Sequence, residues 1–237
     1  MSGHRRMRLS QRHVDVVHRD IEDPGPKLLP EFRTATDADY QEAVEGMLET
    51  CPPGDDFWLF GYGSLIWRPE TAFEEKRLAT AIGWRRRFCL GPDHRFRGSH
   101  EAPGLMMALD RGGQCKGMAY RLPQAGLEQE LHRLIRRELS QLPSAFPWRW
   151  IKVATDQGPL RALTFAMDRN NARYVAGLSD EEIAATLAQA CGFRGSMAEY
   201  LFATVTMLES LGIHDRKLWR LQDLVADRIE ASYAGPW

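Results

Sequence analysis

The chain has 237 residues, 43% of them hydrophobic, enough to build one large domain or two small ones. Its 31 Lys and Arg against 32 Asp and Glu leave a net charge of −1, which excludes the basic balance of a general polyanion binder. Four scattered cysteines with no Cys-x-x-Cys pair argue for thiols in a reducing compartment, and against a disulfide frame or a zinc site.

No apolar run approaches the roughly 18 residues of a membrane span, and no apolar signal core follows the basic start Met1 to Leu9. A cytoplasmic protein is expected. Val14, Val16, Val17 and Ile21 predict a short first helix, stopped by Asp23-Pro-Gly-Pro26. A second helix is predicted from about Asp37 to Thr50, ended by Cys51-Pro-Pro-Gly54. Residues 1–55 therefore read as a helical extension, which either packs on the body or mediates self-association.

Phe57 to Phe60 are bulky and apolar throughout, the pattern of a fully buried strand. Gly61-Tyr62-Gly63-Ser64-Leu65 then breaks it. A glycine loop leaving a buried strand suits a small anionic group held on backbone N–H donors, though a plain tight turn would use the same residues. The Lys of a phosphate-cradling loop is missing, and the glycines do not flank Ser64 as a hydrolase nucleophile elbow requires. Gly63 is read as a left-handed position, so valine there should be worse than alanine at Ser64.

Strands are predicted at Lys76–Ile82 and Trp84–Leu90, and at Leu105–Leu109 and Gln114–Leu122 with a hairpin turn at Asp110 to Gly113. A second hairpin joins Trp148–Thr155 to Leu160–Met167 around Gln157-Gly158-Pro159. Between the hairpins lies one helix, about Gly126 to Leu142. The final third reads as helical. Ser179-x-x-Glu182 and Ser196-x-x-Glu199 fit capping boxes, Gly192 and Gly212 mark helix ends, and a last helix spans about Arg216 to Ile229. The fold class is α+β: a curled antiparallel or mixed sheet, or a small barrel, around one helix, with a helical C-terminal part from 176 to 233.

On the 126–142 helix, Leu127, Leu131, Leu134, Ile135, Leu139 and Leu142 form one stripe, and Glu138 falls within it; Glu128 lies on the flank. Burial raises the pKa of such a carboxylate, and so does its place near the negative helix end. Glu138 thus fits either a proton-transfer group or a buried ion pair with Arg86, Arg87 or Arg137. The run Arg85-Arg86-Arg87 with His94, Arg95 and Arg97 reads as a local basic rim and not as a nucleic-acid surface, because no stacking motif accompanies it. His94 and His100 lack a third metal ligand at regular spacing, and Ser64 has no neighbouring His to activate it.

Phe60-Gly-Tyr-Gly-Ser-Leu-Ile-Trp-Arg-Pro69 resembles the signature of the ChaC-type, glutathione-degrading γ-glutamylcyclotransferases. Gly83-Trp-Arg-Arg-Arg-Phe-Cys89, Arg97-Gly-Ser99 with Pro103-Gly104, Leu109 to Tyr120, Arg137-Glu138 and Glu199-Tyr-Leu201 follow in the family's order. The resemblance implies a γ-glutamylcyclotransferase-like catalytic domain over 56–233 and intramolecular attack of the γ-glutamyl α-amine, giving 5-oxoproline and cysteinylglycine. It further implies Glu138 as the general base and acid, and Tyr62, Gly63, Ser64, Leu65 and Tyr200 around the substrate. Core packing would explain Tyr200 equally well. The chemistry requires no cofactor or metal, and a small γ-glutamyl compound is the expected partner. Other readings are cyclisation of a different γ-glutamyl compound, or a non-catalytic partner linked to cation transport. Leu139 to Pro147, with its two prolines, departs from the family pattern where the substrate should lie.

Overall fold

The computed structural model describes residues 7–233. In chain order its elements are α1 (Gln11–Val17), β1 (Arg33–Thr34), α2 (Asp37–Glu49), β2 (Trp58–Gly61), α3 (Ser64–Trp67), β3 (Glu75–Asp93) and β4 (Gly104–Arg121). There follow α4 (Leu127–Glu138), β5 (Gln141–Leu142), β6 (Trp148–Thr155), β7 (Gly158–Phe165), α5 (Asp180–Gln189), β8 (Cys191–Gly192), β9 (Gly195–Ser196), α6 (Met197–Ser210) and α7 (Arg216–Ser232). They fall into two compact units. A barrel unit comprises Pro26–Arg87 and Met107–Tyr174; a helical unit comprises the chain up to Gly25, Phe88–Met106 and the chain from Val175 onward.

In the barrel unit, β2-β4-β3-β6-β7 close into a five-stranded barrel, antiparallel at β2/β4 and β6/β7 but parallel where β2 meets β7. Side chains alternate along each strand, and the two faces of β2 serve different cores. Trp58 and Phe60 join Ala79, Ala81, Leu109, Ala119, Val153 and Ala162, a cluster to which all five strands contribute and which fills the barrel. Phe57 and Leu59 point the other way, into a cluster with Val44 and Met47 of α2 and Leu131, Leu134 and Ile135 of α4. The continuous apolar run at 57–60 is thus apolar because both of its faces are covered, with α2 and α4 on the outside of the barrel.

The predicted hairpin at 110–113 is corrected: β4 is a single strand from Gly104 to Arg121, bending at Gly112 (φ 106°) and Gly113 (φ 71°). Its neighbour β3 is likewise one strand, with Gly83 at φ 84°. A left-handed glycine can sit inside a strand as well as in a turn, and here the strand runs on through both. Asp110 is fully buried and receives two hydrogen bonds from Arg169, at 2.7 and 3.0 Å, with Arg85 and Arg87 at 3.5 and 3.9 Å. Burial pushes Asp110 up, but Arg169 and the Arg111 N–H outweigh it and hold the carboxyl below its usual range. Arg86 is itself buried and donates to the Lys116 carbonyl. Within the Arg85–Arg87 run, Arg86 is thus turned into the core, while Arg85 and Arg87 stay partly exposed and face Asp110.

The helical unit packs α1 with α6 and α7. Arg8 pairs with Asp227 and Glu230, His13 lies 3.1 Å from Glu230, and the Leu9 N–H reaches Gln222 at 2.7 Å. Arg8, Leu9 and His13 are therefore fastened to α7 within this unit. Ser179 and Glu182 form the full capping box, whereas Ser196 caps Glu199 but the Glu199 carboxylate turns to Arg97. Gly192 does not end a helix. It lies in the β8/β9 ribbon, where a Cβ would sit 2.5 Å from the Arg95 carbonyl. The Arg97-Gly98-Ser99 and Pro103-Gly104 motifs are also explained by close approach: a Cβ on Gly98 would be 2.0 Å from the Gly104 nitrogen. Asp93 caps that loop, accepting the N–H groups of Arg95, Phe96 and Arg97. No helix among the described residues is long and apolar enough to cross a membrane.

Gly117 on β4 shows how tightly β2 is held. A Cβ there would lie 2.2 Å from the Gly61 carbonyl oxygen and 2.9 Å from the Phe60 ring. Gly117→Ala should force β4 off the end of β2 and cost about 1–3 kcal/mol, the usual range for overpacking. Urea denaturation checks this, and an unchanged midpoint contradicts it.

Candidate active site

The site begins where β2 ends. Gly61 admits the Tyr120 ring and Leu65, whose nearest atoms would lie 3.4 and 3.2 Å from a Cβ at that position. The loop then winds directly into the single turn of α3, closed by Ile66 N–H to the Gly63 carbonyl (2.9 Å) and Arg68 N–H to the Ser64 carbonyl (2.8 Å). The buried Tyr120 hydroxyl donates to the Ile66 carbonyl at 3.1 Å. Burial pushes that phenol up to about 12, so it keeps its proton and remains a donor at neutral pH.

Gly63 has φ −135° and ψ −124°. The left-handed conformation expected there is absent, and that argument against valine does not apply. Tyr62 is buried in the barrel cluster and Leu65 in the α2/α4 cluster, so both present their backbone, not their side chains, at the loop. Ser64 remains half-buried.

Helix α4 brings the second motif to this loop. It ends at Glu138, four residues earlier than predicted, because Gln141–Leu142 leaves the helix to pair with Arg33–Thr34. The early stop places Glu138 on the final turn beside Arg137. The Arg137 guanidinium donates from Nη2 to Ser64 Oγ at 2.9 Å and from Nη1 to the Arg68 carbonyl. Its Nε lies 3.1 Å from Glu138 Oε1, and Nη1 lies 3.7 Å from Glu70 Oε2. Of the three arginines that could pair with Glu138, Arg137 is therefore the partner. One cation links the glycine loop to the inward carboxylate, across 73 positions of sequence.

The Glu138 side chain is 15% exposed. Burial raises its pKa, Arg137 pulls the other way, and Glu70 adds to the rise. Proton transfer near neutral pH asks for a carboxyl group shifted in this direction.

Two residues of this region escaped the sequence reading. Glu130 is a buried carboxylate on α4 that accepts the Ala72 N–H at 2.9 Å and Arg133 Nη1 at 2.6 Å, tying the segment after α3 to the helix. Its place next to Leu131 was the available signal. Glu70 gave none: its φ of 54° is the only positive value among the described non-glycine residues. Tyr200, by contrast, is built into the helical unit, edge-on to Phe88 (6.2 Å) and beneath the Arg97 guanidinium (5.7 Å).

Leu139 to Pro147 is anchored by strand pairing at β5, by Phe146 against Phe165, and by the Asp168 N–H to the Ala145 carbonyl. Elsewhere, a groove of about 680 Å³ between Asp55, Trp58, Arg77, Trp150 and Arg161 opens at the start of β2, the end remote from the glycine loop. Among the described residues no three His, Cys, Asp or Glu side chains gather as metal ligands.

The sequence profile of the ChaC-like protein family matches residues 57–228. An Escherichia coli K12 protein, glutathione-specific γ-glutamylcyclotransferase, is 39% identical over 167 residues, 70% of this chain and 71% of that one. Human glutathione-specific γ-glutamylcyclotransferase 1 is 33% identical over 178 residues, covering 73% and 79%. A solved yeast γ-glutamyl cyclotransferase specific to glutathione superposes with a TM-score of 0.67 over 75% of this chain and 99% of its own, a likeness of fold at 19% identity. The glycine loop and the Arg137-Glu138 pair both lie inside the matched region, and the chain belongs to the ChaC-like family.

Proposed function

We propose that this protein is a γ-glutamylcyclotransferase that cleaves glutathione, with Glu138 moving the protons. The observation that carries the reading is the shared guanidinium: Arg137 holds both Ser64 of the glycine loop and the carboxylate of Glu138. Glutathione brings its own nucleophile, the γ-glutamyl α-amine, which reaches the γ-carbonyl through a five-membered ring. Holding the chain curled is worth on the order of 7–11 kcal/mol when the reacting atoms are aligned.

The first N–H groups of a helix have no intrahelical acceptor, so those of Gly63, Ser64 and Leu65 supply donors for the substrate's α-carboxylate. Glu138 takes a proton from the α-ammonium. The freed amine attacks the γ-carbonyl and the amide C–N bond breaks. Glu138 returns its proton to the departing nitrogen, and the second proton shed by the attacking nitrogen passes to the same group, so that 5-oxoproline keeps one N–H and cysteinylglycine leaves as its ammonium. The products are 5-oxoproline and cysteinylglycine. The four cysteines, none of them in a disulfide, suit the reducing cytoplasm in which glutathione is abundant.

Incubation of the purified chain with glutathione should release 5-oxoproline and cysteinylglycine in equal amounts; absence of both products overturns the assignment. Glu138→Gln should reduce kcat/KM by about 10²- to 10⁴-fold, the usual contribution of a general acid–base group. Since the folded value of Glu138 is raised, its stabilising contribution is complete below the ordinary glutamate range and is lost as pH rises through the folded value. The glutamine variant should therefore gain Tm over wild type at pH 8, and the gain should shrink towards pH 4. Ser64→Ala removes one acceptor from Arg137 and should cost no more than about tenfold in kcat/KM, consistent with a net hydrogen bond of roughly 0.5–1.5 kcal/mol. A dead Ser64→Ala enzyme would assign the serine to the chemistry instead.

A further inference from the structure

Glu70 is exposed enough to turn to solvent, with a side chain 43% exposed, yet it occupies the left-handed region at φ 54°. A non-glycine residue stays there when its surroundings hold it. The segment is fixed on both sides of it: Arg137 donates to the Arg68 carbonyl, and the Ala72 N–H donates to Glu130. Its carboxylate is held too. Oε1 is 2.5 Å from Arg68 Nε and Oε2 is 3.7 Å from Arg137 Nη1.

We infer that Glu70 is a positioning residue for Glu138: it shares the Arg137 guanidinium and so limits how much of that cation Glu138 receives. The inference rests on the proposed role of Glu138 as the proton-transfer group. Two charged groups act on Glu138, Arg137 from its own helix and Glu70 from the segment after α3; Arg68 bears on Glu70, and Glu130 is occupied by Arg133. A carboxylate fully neutralised by an arginine is a poor base. A second carboxylate on the same guanidinium weakens that pairing without removing the cation that positions the loop. The strained backbone at 70 is what aims the second carboxylate at Arg137.

The test is the pH dependence of kcat/KM on glutathione for wild type, Glu70→Gln, Glu70→Gly and Arg137→Gln. Loss of the Glu70 charge should move the acidic limb to lower pH and reduce the plateau, and Arg137→Gln should move the limb to higher pH. Glu70→Gly, which relieves the backbone strain but also lacks the carboxylate, should shift the limb as Glu70→Gln does. A merely structural Glu70 would lower Tm in Glu70→Gln and leave the limb in place, which overturns the inference. The Glu138 side-chain carboxyl can also be titrated by ¹³C NMR without substrate, its resonance assigned by its absence in Glu138→Gln. Failure of wild type to cleave glutathione overturns the functional reading alone. A Glu138 titration unmoved in Glu70→Gln overturns the role of Glu70, whatever the substrate.

Discussion

One guanidinium joins the parts of this site. Arg137 reaches Ser64, the Arg68 carbonyl, Glu138 and Glu70, from a helix that is otherwise committed to the core through Leu131, Leu134 and Ile135. A planar fork of five N–H donors can serve several acceptors in fixed directions, which the ammonium of a lysine cannot do. Leu65 also packs against α4 in the apolar cluster, but apolar contacts do not fix the direction of a carboxylate.

The bridge works because both of its abutments are rigid. β2 is buried on both faces, and Gly117 lets β4 close against Gly61 with no side chain between them. Tyr120 pins the turn of α3 through a hydroxyl that stays protonated. On the far side, Glu130 anchors the segment around Glu70 to α4. Buried polar groups recur as braces in this protein: Asp110 under Arg169 and Arg85, and Asp93 beneath three consecutive N–H groups. Each gains its place by having its lone pairs satisfied, since an unpaired buried charge would be expelled or neutralised.

In the proposed mechanism the balance on Glu138 carries the chemistry. Burial and Glu70 favour its protonated form, while Arg137 favours the carboxylate. A γ-glutamyl substrate supplies the nucleophile, the electrophile and the leaving group in one chain, so the enzyme's share is reduced to geometry and one proton. Opposed forces on a single carboxyl group are a direct way to place that proton within reach of neutral pH.

Periodicity and composition by themselves determined the α+β class, α2, the β6/β7 hairpin, the inward face of α4 and the capped start of α5, because those patterns are local consequences of burial and of free N–H groups. The ordered motifs pointed to the family and to Glu138. Only the tertiary structure decided that β4 runs on through Gly112 and Gly113 instead of turning there, since a left-handed glycine serves either course. It also decided that Gly63 is not left-handed, that Arg86 is buried between its two partly exposed neighbours, and that α4 stops at Glu138 for β5 to pair with β1. Glu70 left no trace in the pattern at all. Its backbone angle and its carboxylate's target are set by Arg68, Arg137 and the Glu130 tie to Ala72, and pairings between such distant residues are invisible to any local reading of the chain.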